Sequence, residues 1–139
     1  MATWDDVRRI CLALPEVEES TSYGHRGWKV RGKGFLWERP LGKKDLAQLG
    51  ADAPAGPVLG ASVPDEGAKF ALVADDPAVF FTIPHFDGWP SVLVRLDEID
   101  PVHLREVVIE SWLLKAPKRA AAAWLAEHPE PDRDVGGGS

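Results

Sequence analysis

The chain has 139 residues, enough to bury one core but not two, and its 45% apolar and 27% charged residues exclude both intrinsic disorder and a fibrous repeat. Its net charge of −6 opposes non-specific attraction to nucleic acid or anionic membrane, since both need a positive field. No apolar run approaches the roughly 18 residues that span a bilayer, and the opening Met-Ala-Thr-Trp-Asp-Asp has neither the basic nor the apolar region of a signal peptide; a cytoplasmic protein without membrane partners is expected.

Thr3 opens the first element. Its hydroxyl can cap a helix while Asp6, three residues on, reaches back in a capping box. A helix over 4–14 follows, with Val7, Ile10, Cys11 and Leu14 on one face and Pro15 as its stop. Cys11 lies on that apolar stripe, which predicts an inert, buried thiol. As a lone cysteine it also excludes an internal disulfide and an all-cysteine zinc site. Residues 16–26 are acidic, then polar, and read as a connecting loop. Trp28-Lys29-Val30-Arg31, the glycine-rich Gly32-Lys33-Gly34 and Phe35-Leu36-Trp37-Glu38 predict a β-hairpin. Trp28 and Val30 are expected on one face, Lys29 and Arg31 on the other.

Residues 40–57 are poorly patterned and are expected to form a loop with a helical turn near Asp45 to Leu49. A strand is predicted over Val58 to Val63, then a short helix containing Lys69, Phe70, Leu72 and Val73. The clearest strands, over 79–83 and 91–96, are joined by Pro84-His85-Phe86-Asp87-Gly88-Trp89-Pro90. Asp100-Pro101 caps and opens a helix to about Lys115, and Ala116-Pro117 restarts a last helix up to His128-Pro129. Residues 129–139 lack apolar content and are expected to be a disordered tail ending in a Gly-Gly-Gly-Ser linker. Residues 1–128 then form a single domain. Hairpin-length connections among mixed strands and helices predict an α+β fold with an antiparallel sheet packed against helices.

Three chemistries are disfavoured. Residues 27–34 have the glycine and lysine spacing of a phosphate-binding loop, but the last position is Gly34 and strand formers replace the helix such a loop feeds. His25, His85, His103 and His128 are far apart, and no pair has the spacing of a zinc helix, so no metal site is expected. No local nucleophile signature is present. Binding is therefore expected over catalysis, with no catalytic residue and no cofactor assigned.

Two binding constellations remain. Residues 23–44 hold seven bases against Glu38 alone, whereas 45–101 hold ten acids against two bases. The basic run gives a local field suited to phosphate. The His85 to Trp89 loop gives an imidazole and two large aromatics, and loops on rigid scaffolds often carry binding sites. Trp112 and Trp124 sit among apolar neighbours and are assigned to the core.

Leu14-Pro15, Trp28-Lys29-Val30 with Gly32-Lys33-Gly34-Phe35, Lys69, His85-Phe86-Asp87-Gly88-Trp89-Pro90 before Val92-Leu93-Val94-Arg95-Leu96, and Trp112-Leu113-Leu114 leading to Ala116-Pro117-Lys118 resemble the MmcQ/YjbR family in its actinobacterial form. The likeness covers about residues 3–125. It implies a CyaY-like α+β sandwich, described as a double wing and associated with DNA binding. On that basis Lys29, Arg31, Lys33 and Arg39 are the expected phosphate contacts of a basic wing. An acidic metal-binding ridge like that of CyaY would draw on Asp5, Asp6 and the acids at 16–19, although helix capping explains the first two better. The alternative partner is a small aromatic molecule held by Trp28, Trp37, Lys69, His85, Phe86 and Trp89 in a pocket beneath the 85–89 loop. A monomer is expected in either case.

Overall fold

The computed structural model describes residues 2–22 and 24–128; the tail expected over 129–139 lies outside them. Helix α1 (Trp4–Leu12) starts at the predicted cap. Asp6 N donates to the Thr3 hydroxyl at 3.2 Å, and Thr3 N donates back to Asp6 Oδ2 at 2.9 Å, so two otherwise orphaned amides are satisfied reciprocally. The chain then forms strands β1 (Val17–Ser22), β2 (His25–Val30) and β3 (Lys33–Glu38). Helix α2 (Lys43–Leu49) and a 3₁₀ turn, Gly50–Asp52, lead to β4 (Val58–Ser62). Helix α3 (Glu66–Asp75), the two-residue β5 (Phe80–Phe81), a second 3₁₀ turn (Pro84–Phe86) and β6 (Ser91–Arg95) follow. Helices α4 (Pro101–Lys115) and α5 (Lys118–Glu127) close the fold.

The six strands form one antiparallel sheet in the order β1-β2-β3-β4-β6-β5. One face carries the main core. Trp28, Val30, Leu36, Leu59, Ala61, Val92 and Val94 meet Val7, Ile10 and Cys11 of α1, Leu104, Val108 and Trp112 of α4, and Trp124 of α5. Trp112 reaches across the fold to donate its indole N–H to Pro15 O at 3.1 Å, so its polar edge is satisfied while its rings are buried. Burial pushes the Cys11 thiol well above the usual cysteine value, with nearby Glu19 adding to the rise. That environment suits an inert core residue.

The second face is divided. Over β4, β5 and β6 a smaller apolar cluster of Val58, Phe81, Ile83 and Leu93 is covered by Leu41, Leu49 and Phe86. Over β1 to β3, His25, Lys29 and Gly34 stand exposed. This half of the sheet faces outward.

Two departures from expectation matter. Residues 17–22, expected as loop, form the edge strand β1; its polar Val-Glu-Glu-Ser-Thr-Ser run lacks the apolar alternation that marks a strand, and pairing with β2 imposes the structure instead. The hairpin tip is Arg31-Gly32, not Gly32-Lys33-Gly34. Both residues have positive φ, 52° and 82°, and Val30 pairs with Lys33, which makes a tight two-residue turn.

Candidate functional site

The hairpin register decides which side chains share a face. Lys29 pairs with Gly34 and Trp28 pairs with Leu36, so Phe35 is an extra residue, a β-bulge in β3. Because side chains alternate along a strand, that one residue reverses everything beyond it. Trp37 therefore lies across from Gly27 and Gly60, on the same outward face as Lys29, rather than with Trp28 in the core. A Cβ at Gly60 would meet Nε1 and Cε2 of Trp37, so the indole rests on bare backbone there.

Trp28 itself is fully buried, which corrects its assignment as a ligand platform. Its ring stacks on Trp4 at 6.3 Å between centroids, and its N–H donates to Glu19 Oε1 at 3.1 Å. Arg8 Nε donates to the same oxygen, so Glu19 fastens α1 to the edge of the sheet. Glu16, Glu19 and Asp6 all bind protein groups, and Asp6 caps α1. Among the described residues no group of three or more His, Cys, Asp or Glu side chains stands close enough to hold a metal ion.

Around Trp37 is a hollow of about 370 Å³ whose lining includes Ser20, His25, Gly27, Lys29, Gly34, Trp37 and Arg39. Glycine at 27 and 34 leaves its base without side chains. The four expected phosphate contacts fare differently. Arg31 is bound to Glu16 at 2.8 Å, and that hydrogen bond holds its guanidinium above its ordinary pKa. Arg39 pairs with Asp45 at 3.5 Å, donates to the carbonyl of Pro40 and lies over the Phe86 ring at 5.5 Å. Lys29 and Lys33 are exposed and have no ion pair among the described residues. The partial neutralisation comes from Glu16 and Asp45, so only one of the partner acids belongs to the acid-rich segment 45–101.

The 85–89 loop is built differently from a pocket lid. Lys69 on α3 is fully buried; its Nζ donates to Phe86 O at 2.8 Å and lies 3.9 Å from Glu66 Oε2. Glu66 Oε2 in turn accepts from Gly88 N at 2.9 Å. Two α3 side chains thus pin two backbone groups of the loop. Lys69 is committed to this clamp, which corrects its place among ligand contacts. Phe86 covers the second-face cluster, while His85 and Trp89 are exposed, Trp89 by 62%. The cavities of about 280, 660, 390 and 370 Å³ take none of their lining from His85, Phe86 or Trp89. Of the six expected aromatic-site residues, the hollow takes its lining from the buried Trp28 and the partly exposed Trp37, which stands there with Lys29 and Arg39. The signal that would have found this was the odd residue count between Lys33 and Trp37, visible only once the partner strand's register is known.

No helix among the described residues is long and apolar enough to cross a membrane. The chain is 50% identical over 129 residues to the uncharacterized protein Rv2570 of Mycobacterium tuberculosis strain H37Rv, covering 91% of this chain and 98% of that protein. The uncharacterized protein Mb2600 of Mycobacterium bovis matches to the same extent. The fold is shared with the crystal structure of Deinococcus radiodurans protein DR2400, of the domain family DUF419. The TM-score there is 0.64 at 24% identity, with 95% of this chain and 91% of that chain covered. With residues 12–114 matching the model of the YjbR family, the chain belongs to that family.

Proposed function

We propose that this protein is a non-catalytic nucleic-acid-binding module that takes a single-stranded segment across the outward face of β1 to β3. The observation that carries the reading is that Lys29 and the partly exposed Trp37 line one glycine-based hollow, with the exposed Lys33 beside the adjoining hairpin turn. Ammonium groups not held in an ion pair can meet phosphates, although Glu38 also lines the hollow, and an indole gives an unstacked base a flat apolar partner worth about 1–3 kcal/mol. A duplex keeps its bases stacked and offers nothing to Trp37, so single strands are favoured. With Arg31 and Arg39 already paired, about two phosphates are neutralised. The logarithm of affinity then falls with the logarithm of salt with a slope of about −1.4, a shallow dependence that a chain of net charge −6 can support.

A second reading has one observation of its own: at about 370 Å³ the hollow is large enough for a small planar molecule. One titration separates the two. Tryptophan emission is followed with a 12-nucleotide oligodeoxynucleotide, a duplex of the same sequence, and adenosine, against wild-type, Trp37→Phe and Lys29→Glu/Lys33→Glu. Saturable quenching by the single strand that weakens with salt and disappears in both variants is expected. Quenching by adenosine as strong as by the strand, indifferent to salt and to the lysine variant, transfers the site to the small-molecule reading. No saturation by any of the three removes both.

A further inference from the structure

A larger cavity lies on the opposite face of the sheet. Helix α4 packs on β3 and β4, whereas α3 packs on β5 and β6, and a groove of about 660 Å³ separates the two helices. Its volume falls within the roughly 300–1,000 Å³ of small-molecule sites. Ala61 and Val92 form its base, Ala71 and Leu72 line it from α3, and Val107 and Leu114 line it from α4. Alanine at 61 and 71 keeps the base and one wall shallow, and Leu114 remains 41% exposed at the opposite wall. The groove's charge is one-sided. Asp75, Glu106 and Glu110 are exposed along its lining, which includes no lysine or arginine. His103 also lines it, with its ring edge-on to Phe80 at 5.4 Å.

We propose that the groove between α3 and α4 is a binding site for a small organic cation, an apolar ring system bearing one ammonium group. The apolar walls supply area to be removed from water, and the three carboxylates choose among apolar bodies by charge. Neither element suits a phosphate-bearing ligand, so this site is independent of the β1 to β3 face and draws on none of its residues. The acidic margin also gives the chain's negative charge a role that the nucleic-acid reading leaves without one.

The test uses the full chain at pH 8 and three probes sharing one body: 4-(1-naphthyl)butylamine, the corresponding alcohol and the corresponding carboxylate. Binding is followed by ligand-observed NMR. The amine is expected to saturate, with the alcohol weaker by about fivefold, the upper figure for one exposed ion pair, and the carboxylate weaker again. Ala71→Trp, on an exposed helical position, fills the groove and is expected to abolish binding with the fold retained by circular dichroism. Asp75→Asn/Glu106→Gln/Glu110→Gln is expected to bring the amine down to the alcohol while leaving the alcohol unchanged. Equal binding of amine and carboxylate, binding that survives Ala71→Trp, or no saturation of the amine at millimolar concentration overturns the proposal. Saturation by an amphipathic cationic peptide but not by the amine overturns it in favour of a protein partner.

Discussion

Replacing Lys69 with methionine tests whether the α3 clamp is what shapes the 85–89 loop. The side chain is fully buried, and its ammonium makes one short hydrogen bond, 2.8 Å to Phe86 O. A hydrogen bond involving a charged group contributes about 1.5–3 kcal/mol, and its removal leaves the Phe86 carbonyl with the Trp89 amide as its remaining donor. Two effects offset this. Methionine keeps most of the apolar stem's packing, and no ammonium has to be taken out of water. Loss of the Glu66 partner adds little, because that carboxylate is 46% exposed and 3.9 Å away. The net expectation is a loss of about 2 kcal/mol, which for a chain of this length lowers Tm by roughly 6–10 °C. Urea unfolding measures the first quantity. Hydrogen exchange at Gly88 and Trp89 measures the local consequence, since Trp89 N donates to Phe86 O and shares that acceptor with Lys69. Glu66→Gln keeps an acceptor for Gly88 N and should change stability by less than about 1 kcal/mol. A Lys69→Met protein as stable as wild-type, with unchanged exchange in the loop, would refute the clamp.

Gly60→Ala places a Cβ where the Trp37 indole lies, so the ring must leave the sheet; a cost of about 1–3 kcal/mol and greater iodide quenching of tryptophan emission are expected, and an unchanged quenching constant would refute the packing described. Asp6 supplies a pH signature. The hydrogen bond from Arg9, followed by that from Thr3 N, holds its carboxyl below the usual range. A depressed folded pKa means the stabilisation is complete above the unfolded value of about 3.9 and is lost as pH falls through the folded value. The stability gap between wild-type and Asp6→Asn should therefore be constant above about pH 5 and close as pH drops below about 4. Urea midpoints at several pH values check it, and a gap that widens on acidification would contradict the sign.

The elements most legible in the sequence were those with local chemistry. The Thr3 and Asp6 capping box, the Asp100 cap ahead of Pro101 and a hairpin turning near Gly32, though one residue earlier than expected, each depend on residues within four positions of one another. An antiparallel sheet packed against helices followed from those pieces, with five of its six strands expected. What was hidden depends on partners distant in the chain. β1 has the composition of a loop and becomes a strand only against β2. Trp28 and Trp37 look equivalent as indoles on two arms of one hairpin, yet the extra Phe35 sends one to the core and the other outward. Lys69 reads as a cation on a short helix, and only the fold sets a loop carbonyl 17 residues away at its tip. The basic run was visible as a count, but which of its members keep their charge free depended on Glu16 and Asp45 arriving from other elements.

The two rims of the sheet have a bearing on how the protein behaves when crowded. A sheet grows by accepting a further strand along an unpaired border, and the usual victims are long, flat and greasy. At one border stands β1, whose Glu18, Ser20 and Thr21 are poor material for stacking and whose Glu19 is tied to Trp28 and Arg8. At the other stands β5, only Phe80 and Phe81 long, too brief to template a newcomer. Self-association by ribbon extension is thus discouraged at both ends. Copies that do come together have reason to meet through side-chain surfaces, leaving the hydrogen-bonding pattern of each sheet closed on itself.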